Sequence, residues 1–185
     1  MSDYKKDLLK IKVKGYFDDD ILRVDPSIVT LVKYYIDKAR HNIETASLLI
    51  EASKDKESKK KLKISTDYVG YDWVISCGYY AMFHAATAAL AAIGIKAESH
   101  ESLIEGLEYH FVLKEKVIES EDVEKIKHAK KLDEEYVNRM WATKSKRNTA
   151  QYKADVVIAQ KDAEKIYKNA IDFVDTIESL IKGLK

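Results

Sequence analysis

The sequence predicts an all-α protein, built as an up-and-down bundle of four main helices with one short helix added. The 185 residues contain one proline and six glycines, whereas average usage would give roughly nine and thirteen. Because proline and glycine interrupt helices and build turns, their scarcity indicates long uninterrupted elements. Apolar residues also recur at steps of three and four, the period of one helix face. Short links between such helices imply antiparallel neighbours.

The composition excludes several classes of site. The six glycines are at least eight residues apart, so the chain holds no GxGxxG or GxxxxGK[ST] phosphate loop. The single cysteine, Cys77, excludes a disulfide framework and zinc sites built on several cysteines. With 32 basic and 31 acidic side chains the formal net charge is +1, so a nucleic acid must be met by a local patch.

The same composition suggests where the protein works. Residues 1–20 lack the apolar segment of a signal peptide, so we expect a cytoplasmic protein without a membrane partner. Lysine and glutamate are abundant while glutamine occurs only twice. This bias is typical of thermophilic proteins.

Residues 1–26 are predicted to form an N-terminal arm, separate from a helical domain over 27–185. Lysines alternate with apolar residues over 10–14, which suits a short strand, although the start of the chain suits a helical turn equally well. The acidic run at 18–20 predicts a turn. Pro26 then stands at a plausible helix start.

The first main helix is predicted over 28–52, where six apolar residues step by four and three to form one stripe. These residues are Val32, Ile36, Ala39, Ile43, Ala46 and Ile50. Residues 53–66 contain six lysines and few apolar residues, which predicts a lysine-rich loop. This loop is either a solvated connection or a segment that attracts phosphate.

The second main helix, over about 68–94, differs in kind from the first. Between Asp72 and Lys96 lie 23 residues without a formal charge, a length that could span a membrane. Seven of them are alanine and several others are polar, so strongly apolar residues are too few for a good span. We therefore predict the central helix of a bundle, in contact with neighbours on every side, with Gly94 as its cap.

Three further helices follow from the spacing of apolar residues. A short helix is predicted over 100–112, and longer ones over 121–146 and 155–184. The last has the clearest pattern, with steps of three and four that are typical of coiled-coil packing. Its seam residues are Ala163, Ile166, Ala170, Phe173, Ile177, Leu180 and Leu184.

The junction between the last two helices is the main candidate for phosphate binding. Residues 144–153 include four basic side chains, no acidic one and an aromatic ring, Tyr152. Arg147 is one of four arginines in a lysine-rich chain, and its planar fork can hold a phosphate by two hydrogen bonds. Lys144 and Lys146 would add positive charge. The structural alternative is a cationic helix end with Tyr152 packed at the margin of the bundle.

A histidine inside the uncharged helix is the second candidate. His84 has apolar neighbours, and Tyr80 lies one turn earlier on the same face. Either His84 is a core residue bonded to a neighbouring helix, or it lines a cleft beside Tyr80. The five histidines show no metal-binding spacing, so we expect neither a metal nor another cofactor.

Together these segments resemble the HEPN superfamily of small helical domains, which are found mostly in prokaryotes. The similarity covers about residues 28–184 and lies in GYYAMFHAA (78–86), Gly94-Ile95, Ser99-His100 and Arg147-Asn148. It implies a helical bundle that forms a homodimer and binds RNA or a nucleotide. It also implies a toxin–antitoxin pair in which a small nucleotidyltransferase-family protein is the partner.

Many members of this superfamily are metal-independent endoribonucleases that use an arginine, an adjacent polar residue and, a few residues later, a histidine. The resemblance assigns the first two positions to Arg147 and Asn148. Gln151 and Tyr152 stand where the histidine would be, and tyrosine, with a pKa of about 10, is a poor base at neutral pH. The sequence therefore favours binding of RNA or a nucleotide phosphate over cleavage.

Two alternatives stay open at this point. One is a working endoribonuclease in which His84 or Tyr152 replaces the missing histidine beside Arg147. The other is a non-catalytic interaction module that uses the 163–184 seam as a docking surface.

Overall fold

The computed structural model describes residues 2–142 and 149–184, with side chains over 2–138 and 159–184. Within these residues the regular secondary structure is helical apart from one two-stranded sheet. The all-α prediction is confirmed. The helices are α1 (Asp3–Asp18), α2 (Val32–Lys54), α3 (Lys56–Leu62), α4 (Tyr71–Ala92), α5 (His100–Leu107), α6 (Ser120–Ala142) and α7 (Thr149–Gly183). The strands are β1 (Leu22–Val24) and β2 (Ile95–Ala97).

The four long helices alternate in direction. The guanidinium of Arg40 on α2 pairs with Glu178 at 2.8 Å, whereas Lys54, near the end of α2, pairs with Glu164 at 2.6 Å. Since the later residue of α2 meets the earlier residue of α7, these two helices are antiparallel. Tyr136 on α6 donates to Asp162 on α7 at 3.0 Å. The ends of α6 and α7 that flank residues 143–148 therefore lie together.

Helix α4 is the centre of the bundle, in contact with α2, α5, α6 and α7. It approaches α7 very closely, because a Cβ added at Gly78 would lie 2.5 Å from Cγ2 of the buried Ile166. Alanines 81, 85, 86, 88, 89 and 91 are also fully covered. Glycine and alanine therefore allow neighbouring helices to pack against the α4 backbone.

The prediction that α4 is covered on every side is wrong, because one of its faces stays open. Seven residues along this face, which lie three, four or seven positions from one of the others, are exposed or half-buried, and we call them the α4 stripe. The α4 stripe consists of Trp73, Ser76, Cys77, Tyr80, Phe83, His84 and Thr87. At 100° per residue Tyr80 points nearly opposite to Gly78, so the stripe lies on the side of α4 away from α7.

Tyr71–Ala92 is long and apolar enough to pass a test for a membrane span, but 67% of its most apolar window is buried inside the protein. The buried core helix of a bundle also passes this test of length and composition. The cap at its end is as predicted: Gly94 has a φ of +70° and its N–H bonds to the Ala91 carbonyl at 2.9 Å. A side chain at Gly94 would be strained in this left-handed conformation.

Residues 10–14 are helical, so of the two alternatives for the start of the chain the helix is right and the short strand is wrong. Ser2 caps α1 by accepting a hydrogen bond from the Lys5 N–H, and the helix places Leu9 and Val13 one turn apart on its inner face. Both are buried in the main core. The observed β1 comes later and pairs with β2 in antiparallel register, Arg23 opposite Lys96. Whether 1–26 forms a unit apart from 27–185 stays a prediction.

The lysine-rich segment 53–66 also differs from the prediction, because it contains helix α3 rather than a loop. Asp55 caps this helix by accepting from the Ser58 N–H at 2.6 Å. Lys59 is only 7% exposed, and its ammonium group donates to the Thr66 carbonyl at 2.9 Å. Lysine has good helix propensity. The buried hydrocarbon chain of Lys59 and the hydrogen bond of its ammonium group hold the segment after α3 in place.

The later helices follow the predicted pattern closely. Five of the seven seam residues of α7 are buried, while Leu180 is partly buried and Leu184 is exposed. Helix α5 continues as a π-helical segment over Glu108–Lys114, and α7 starts at Thr149, earlier than predicted. The seam is therefore mainly intramolecular core.

We expect Gly78→Ala to destabilise the protein by about 1–2 kcal/mol. Overpacking against Ile166 outweighs the gain in helix propensity, because the branched side chain of Ile166 is stiff at χ1. Gly15→Ala is the matched control, since no atom of the described residues lies within 4 Å of its added Cβ, and it should stabilise by about 0.5–1 kcal/mol. Urea unfolding of both variants measures the difference. Equal effects would contradict the close packing of α4 on α7.

Leu9→Ala tests whether α1 belongs to the core. Leu9 is 6% exposed, so its truncation should cost about 2–3 kcal/mol of unfolding free energy. Ile11→Ala is the control on the same helix, because Ile11 is 68% exposed and its loss should change stability by less than about 0.5 kcal/mol. If both variants unfold like the wild type, α1 does not contribute to the core.

Candidate functional site

Most residues of the predicted phosphate site lie outside the described residues. This applies to Lys144, Lys146, Arg147 and Asn148. Tyr152 lies on α7, but its side chain is also outside the described part. The structure therefore leaves their roles as predictions.

The other two predicted residues, Tyr80 and His84, belong to one group of rings that we call the aromatic–histidine cluster. Its members are Tyr35 on α2, Tyr79, Tyr80, Phe83 and His84 on α4, and His100 on α5. The ring centroids of Tyr80 and His84 are 6.3 Å apart, and those of Tyr80 and His100 are 6.5 Å apart. Tyr80, which is 41% exposed, thus lies between two histidines at the surface.

His84 is half-buried and has no hydrogen bond to the described residues. Its ring stacks on Tyr35 at 6.5 Å with an interplanar angle of 18°, and its buried Nδ1 has no partner there. Burial and, secondarily, the positive charge of Lys38 lower the pKa of His84. Its imidazole is therefore neutral at neutral pH. This arrangement differs from a core histidine bonded to a neighbouring helix.

His100 is oriented more firmly than His84. The Tyr79 hydroxyl lies 2.5 Å from His100 Nδ1, and the Phe83 ring packs on the imidazole at 4.4 Å. Ser99 fixes the backbone, because it caps α5 and shares a capping box with the buried Ser102. His100 therefore has a defined ring position at the first turn of α5.

The Tyr79–His100 contact also determines which ring nitrogen of His100 can donate a hydrogen bond to a ligand. Tyr79 is buried, and this burial raises its pKa far above the usual value. The phenol stays protonated and can donate to Nδ1, which leaves the hydrogen of a neutral imidazole on Nε2. In this tautomer His100 offers an N–H donor to a phosphate oxygen or a base edge, and it is not a base at that atom.

A tyrosine and a lysine flank the cluster on α2. Tyr34 is 53% exposed, and the ammonium group of Lys38 lies 5.6 Å from the centre of its ring. Such a pair combines a flat apolar face with a positive charge. The cluster and its flank can thus stack a planar ring and place hydrogen-bond donors beside it.

No metal-binding site is found in the part of the chain that the structure describes. Those residues contain no group of three or more His, Cys, Asp or Glu side chains that could hold a metal ion. Cys77 is half-buried, and burial raises the pKa of its thiol. It is therefore a weak nucleophile.

Sequence reasoning did not select His100 as a site residue. It lies 21 positions from Tyr79, and no local pattern pairs residues at that distance. The available signal was the dipeptide Ser99-His100 after Gly94, which resembles a helix start with a polar cap. Only the packing of α5 against α4 brings His100 to the cluster.

Comparison with known proteins identifies the family. No curated protein matched the chain. The model of the HEPN domain matches residues 32–180, which is well over half of the chain and runs from the start of α2 almost to the end of α7. This range contains every member of the aromatic–histidine cluster and the junction with Arg147. The chain belongs to the HEPN domain family.

Proposed function

We propose that this protein is a dimeric HEPN protein that binds RNA or a nucleotide phosphate through Arg147 and its neighbours. The family match over 32–180 is the observation that carries this proposal. HEPN domains suggest a nuclease-like or RNA-binding helical module. The Arg147-Asn148 pair fits the first half of the motif that the resemblance implies.

The chemistry of the junction supports a phosphate ligand. Residues 144–153 hold four basic side chains and no acidic one, in a chain whose overall charge is nearly balanced. The guanidinium group of Arg147 can bind two phosphate oxygens at once. Lys144 and Lys146 add positive charge, while Asn148 supplies an amide donor.

The aromatic–histidine cluster supports recognition of a base. Single-stranded RNA is bound by stacking its bases on exposed aromatic rings. Tyr80 is exposed between two histidines, and Tyr34 has Lys38 over its ring. Gly78, two residues before Tyr80, meets Ile166, which lies 17 residues after the start of α7, so about 25 Å of helix separates Tyr80 from the junction. Only an RNA strand long enough to reach both could place a base on these groups while the junction holds one of its phosphates. The proposal also includes a small nucleotidyltransferase-family partner and a cytoplasmic location, both expected from the sequence.

Arg147→Ala should weaken binding to a labelled single-stranded RNA oligomer, or to ATP, by about tenfold, since a bidentate charged contact is lost. Arg23→Ala is the matched control: it removes one positive charge from β1, where Arg23 pairs with Glu98, and should change affinity by less than about twofold. Fluorescence anisotropy measures RNA binding. Competition with ATP shows whether the site binds a single nucleotide or requires an RNA polymer. Unchanged binding by Arg147→Ala would contradict the proposal.

An endoribonuclease is the second candidate, because two histidines lie beside the exposed Tyr80. Tyr152 stands where the motif histidine would be, however. Burial lowers the pKa of His84, and no described residue bonds to its Nδ1, so His84 is a weak base. We therefore expect the purified protein to leave labelled RNA intact in EDTA. Cleavage that survives EDTA and disappears in Arg147→Ala would establish the endoribonuclease instead.

A further inference from the structure

Helix α3 and its cap carry a group of exposed lysines that we call the α3 lysine surface. Its members are Lys56, Lys60, Lys61 and Lys63. Within the described part of the chain none of the four lies in an ion pair, whereas lysines on α1, α2 and α6 do pair with carboxylates. The charge of the α3 lysine surface can therefore attract an anion from solution.

The acidic residues near these lysines do little to balance them. Asp55 accepts a hydrogen bond from the Ser58 N–H at 2.6 Å, and Glu51 accepts one from the Ser58 hydroxyl at 2.8 Å. Both carboxylates are thus directed at groups of their own segment. Residues 56–63 contain five lysines and one acidic residue, so this part of the surface is strongly cationic.

The segment that carries the lysines leaves and rejoins the bundle at one place. The Gly70 N–H donates to the Ser53 hydroxyl at 2.9 Å, so the end of α2 and the start of α4 lie side by side. Lys54, the last residue of α2, pairs with Glu164 on α7 at 2.6 Å. Helix α3 is therefore attached to the bundle close to this ion pair.

This is the end of the bundle at which α6 ends and α7 begins. Tyr71 at the start of α4 belongs to one buried apolar cluster with Tyr136 of α6 and Ala159 of α7. Glu164 lies 15 positions after Thr149, the first residue of α7, which corresponds to about 22 Å of helix. The α3 lysine surface and the basic junction are therefore at the same end of the molecule.

Two separated groups of cations fit a nucleic acid strand better than a small anion or a membrane. At 3.4 Å per nucleotide of a helical strand, 22 Å corresponds to about six nucleotides, whereas one nucleotide reaches only one group. A helix that lies on a membrane needs an apolar face, and α3 has a single apolar residue, Leu62.

We propose that the α3 lysine surface binds the phosphate backbone of an RNA strand that is also held at the junction with Arg147. This inference rests on the proposed function and deepens it, because it assigns the substrate class. The ligand is an RNA chain of about six nucleotides or more rather than a free nucleotide. Contacts of this kind are electrostatic, depend on salt and carry no base specificity.

Neutralising the surface tests the proposal through the length and salt dependence of binding. Lys56→Gln/Lys60→Gln/Lys61→Gln should weaken binding of a labelled single-stranded RNA of about 12 nucleotides by about tenfold, and should reduce the slope of log affinity against log salt concentration by about two. ATP binding should stay within about twofold of the wild type, because ATP reaches only the junction. Fluorescence anisotropy measures RNA binding, and calorimetry measures ATP binding.

The matched control is Lys5→Gln/Lys14→Gln/Lys182→Gln. It removes the same charge from exposed lysines of α1 and α7 that form no ion pair with a described residue. Glutamine and lysine have similar helix propensities, and circular dichroism checks that both triple variants are folded. The control should bind RNA like the wild type. Equal losses in the two triple variants would show that net charge attracts the RNA, and would overturn the proposal.

Lys63 allows a test in which the loss of binding accompanies a gain in stability. Its φ of +55° is left-handed, a conformation that glycine adopts more readily than lysine. Lys63→Gly should therefore raise the urea midpoint of unfolding, yet weaken RNA binding by about twofold to threefold. Lys116→Gly is the control, because Lys116 has the same φ and lies away from α3. Equal RNA affinities of the two variants would contradict the proposal.

The outcomes separate this inference from the proposed function. If Arg147→Ala loses RNA binding and the α3 triple variant does not, the proposed function stands and the α3 lysine surface is wrong. If the wild type binds neither RNA nor ATP, both are wrong. Sedimentation with vesicles of phosphatidylcholine and phosphatidylserine in equal parts provides the last comparison. Vesicle binding that the α3 triple variant abolishes, with RNA binding unchanged, would assign the surface to a membrane and overturn the inference.

Discussion

The 23 residues without a formal charge from Trp73 to Ile95 impose the main constraint on this fold. A helix of this composition must be shielded from water over most of its surface, and α2, α6 and α7 are arranged to do so. Small residues let these helices approach the α4 backbone, most closely where Gly78 meets Ile166. The ion pairs of α2 with α7 lie outside this core, at the surface, and show that the two helices are antiparallel.

The way in which α4 is buried also determines which of its residues reach the surface. The three covered sides of α4 leave the α4 stripe open, and this stripe includes Tyr80 and His84 of the aromatic–histidine cluster. His100 joins them because α5 packs next to the end of α4 and is held there by its capping box. One helix thus provides both the centre of the bundle and an exposed face that carries part of the aromatic–histidine cluster.

The sequence predicted the long helices well, because their buried positions repeat with a period that few other structures share. It predicted 1–26 and 53–66 poorly. The many lysines in these segments obscure the spacing of the few buried apolar residues, such as Val13, that determine the local structure. The open α4 stripe could not be predicted, because a run without charges indicates burial but not which side is left uncovered. His100 was missed for a related reason: its partner Tyr79 is distant in sequence, and their contact exists only in the folded bundle.

Residue-level hydroxyl-radical footprinting tests most directly whether α4 is covered by its own chain on three sides and open on the fourth. Tyr4, which is 74% exposed on α1, serves as the internal reference. Trp73 and Tyr80 should be oxidised readily, as Tyr4 is, while Tyr71 and Tyr79, which are 4% and 2% exposed, should stay protected. Equal oxidation of the neighbours Tyr79 and Tyr80 would contradict the account.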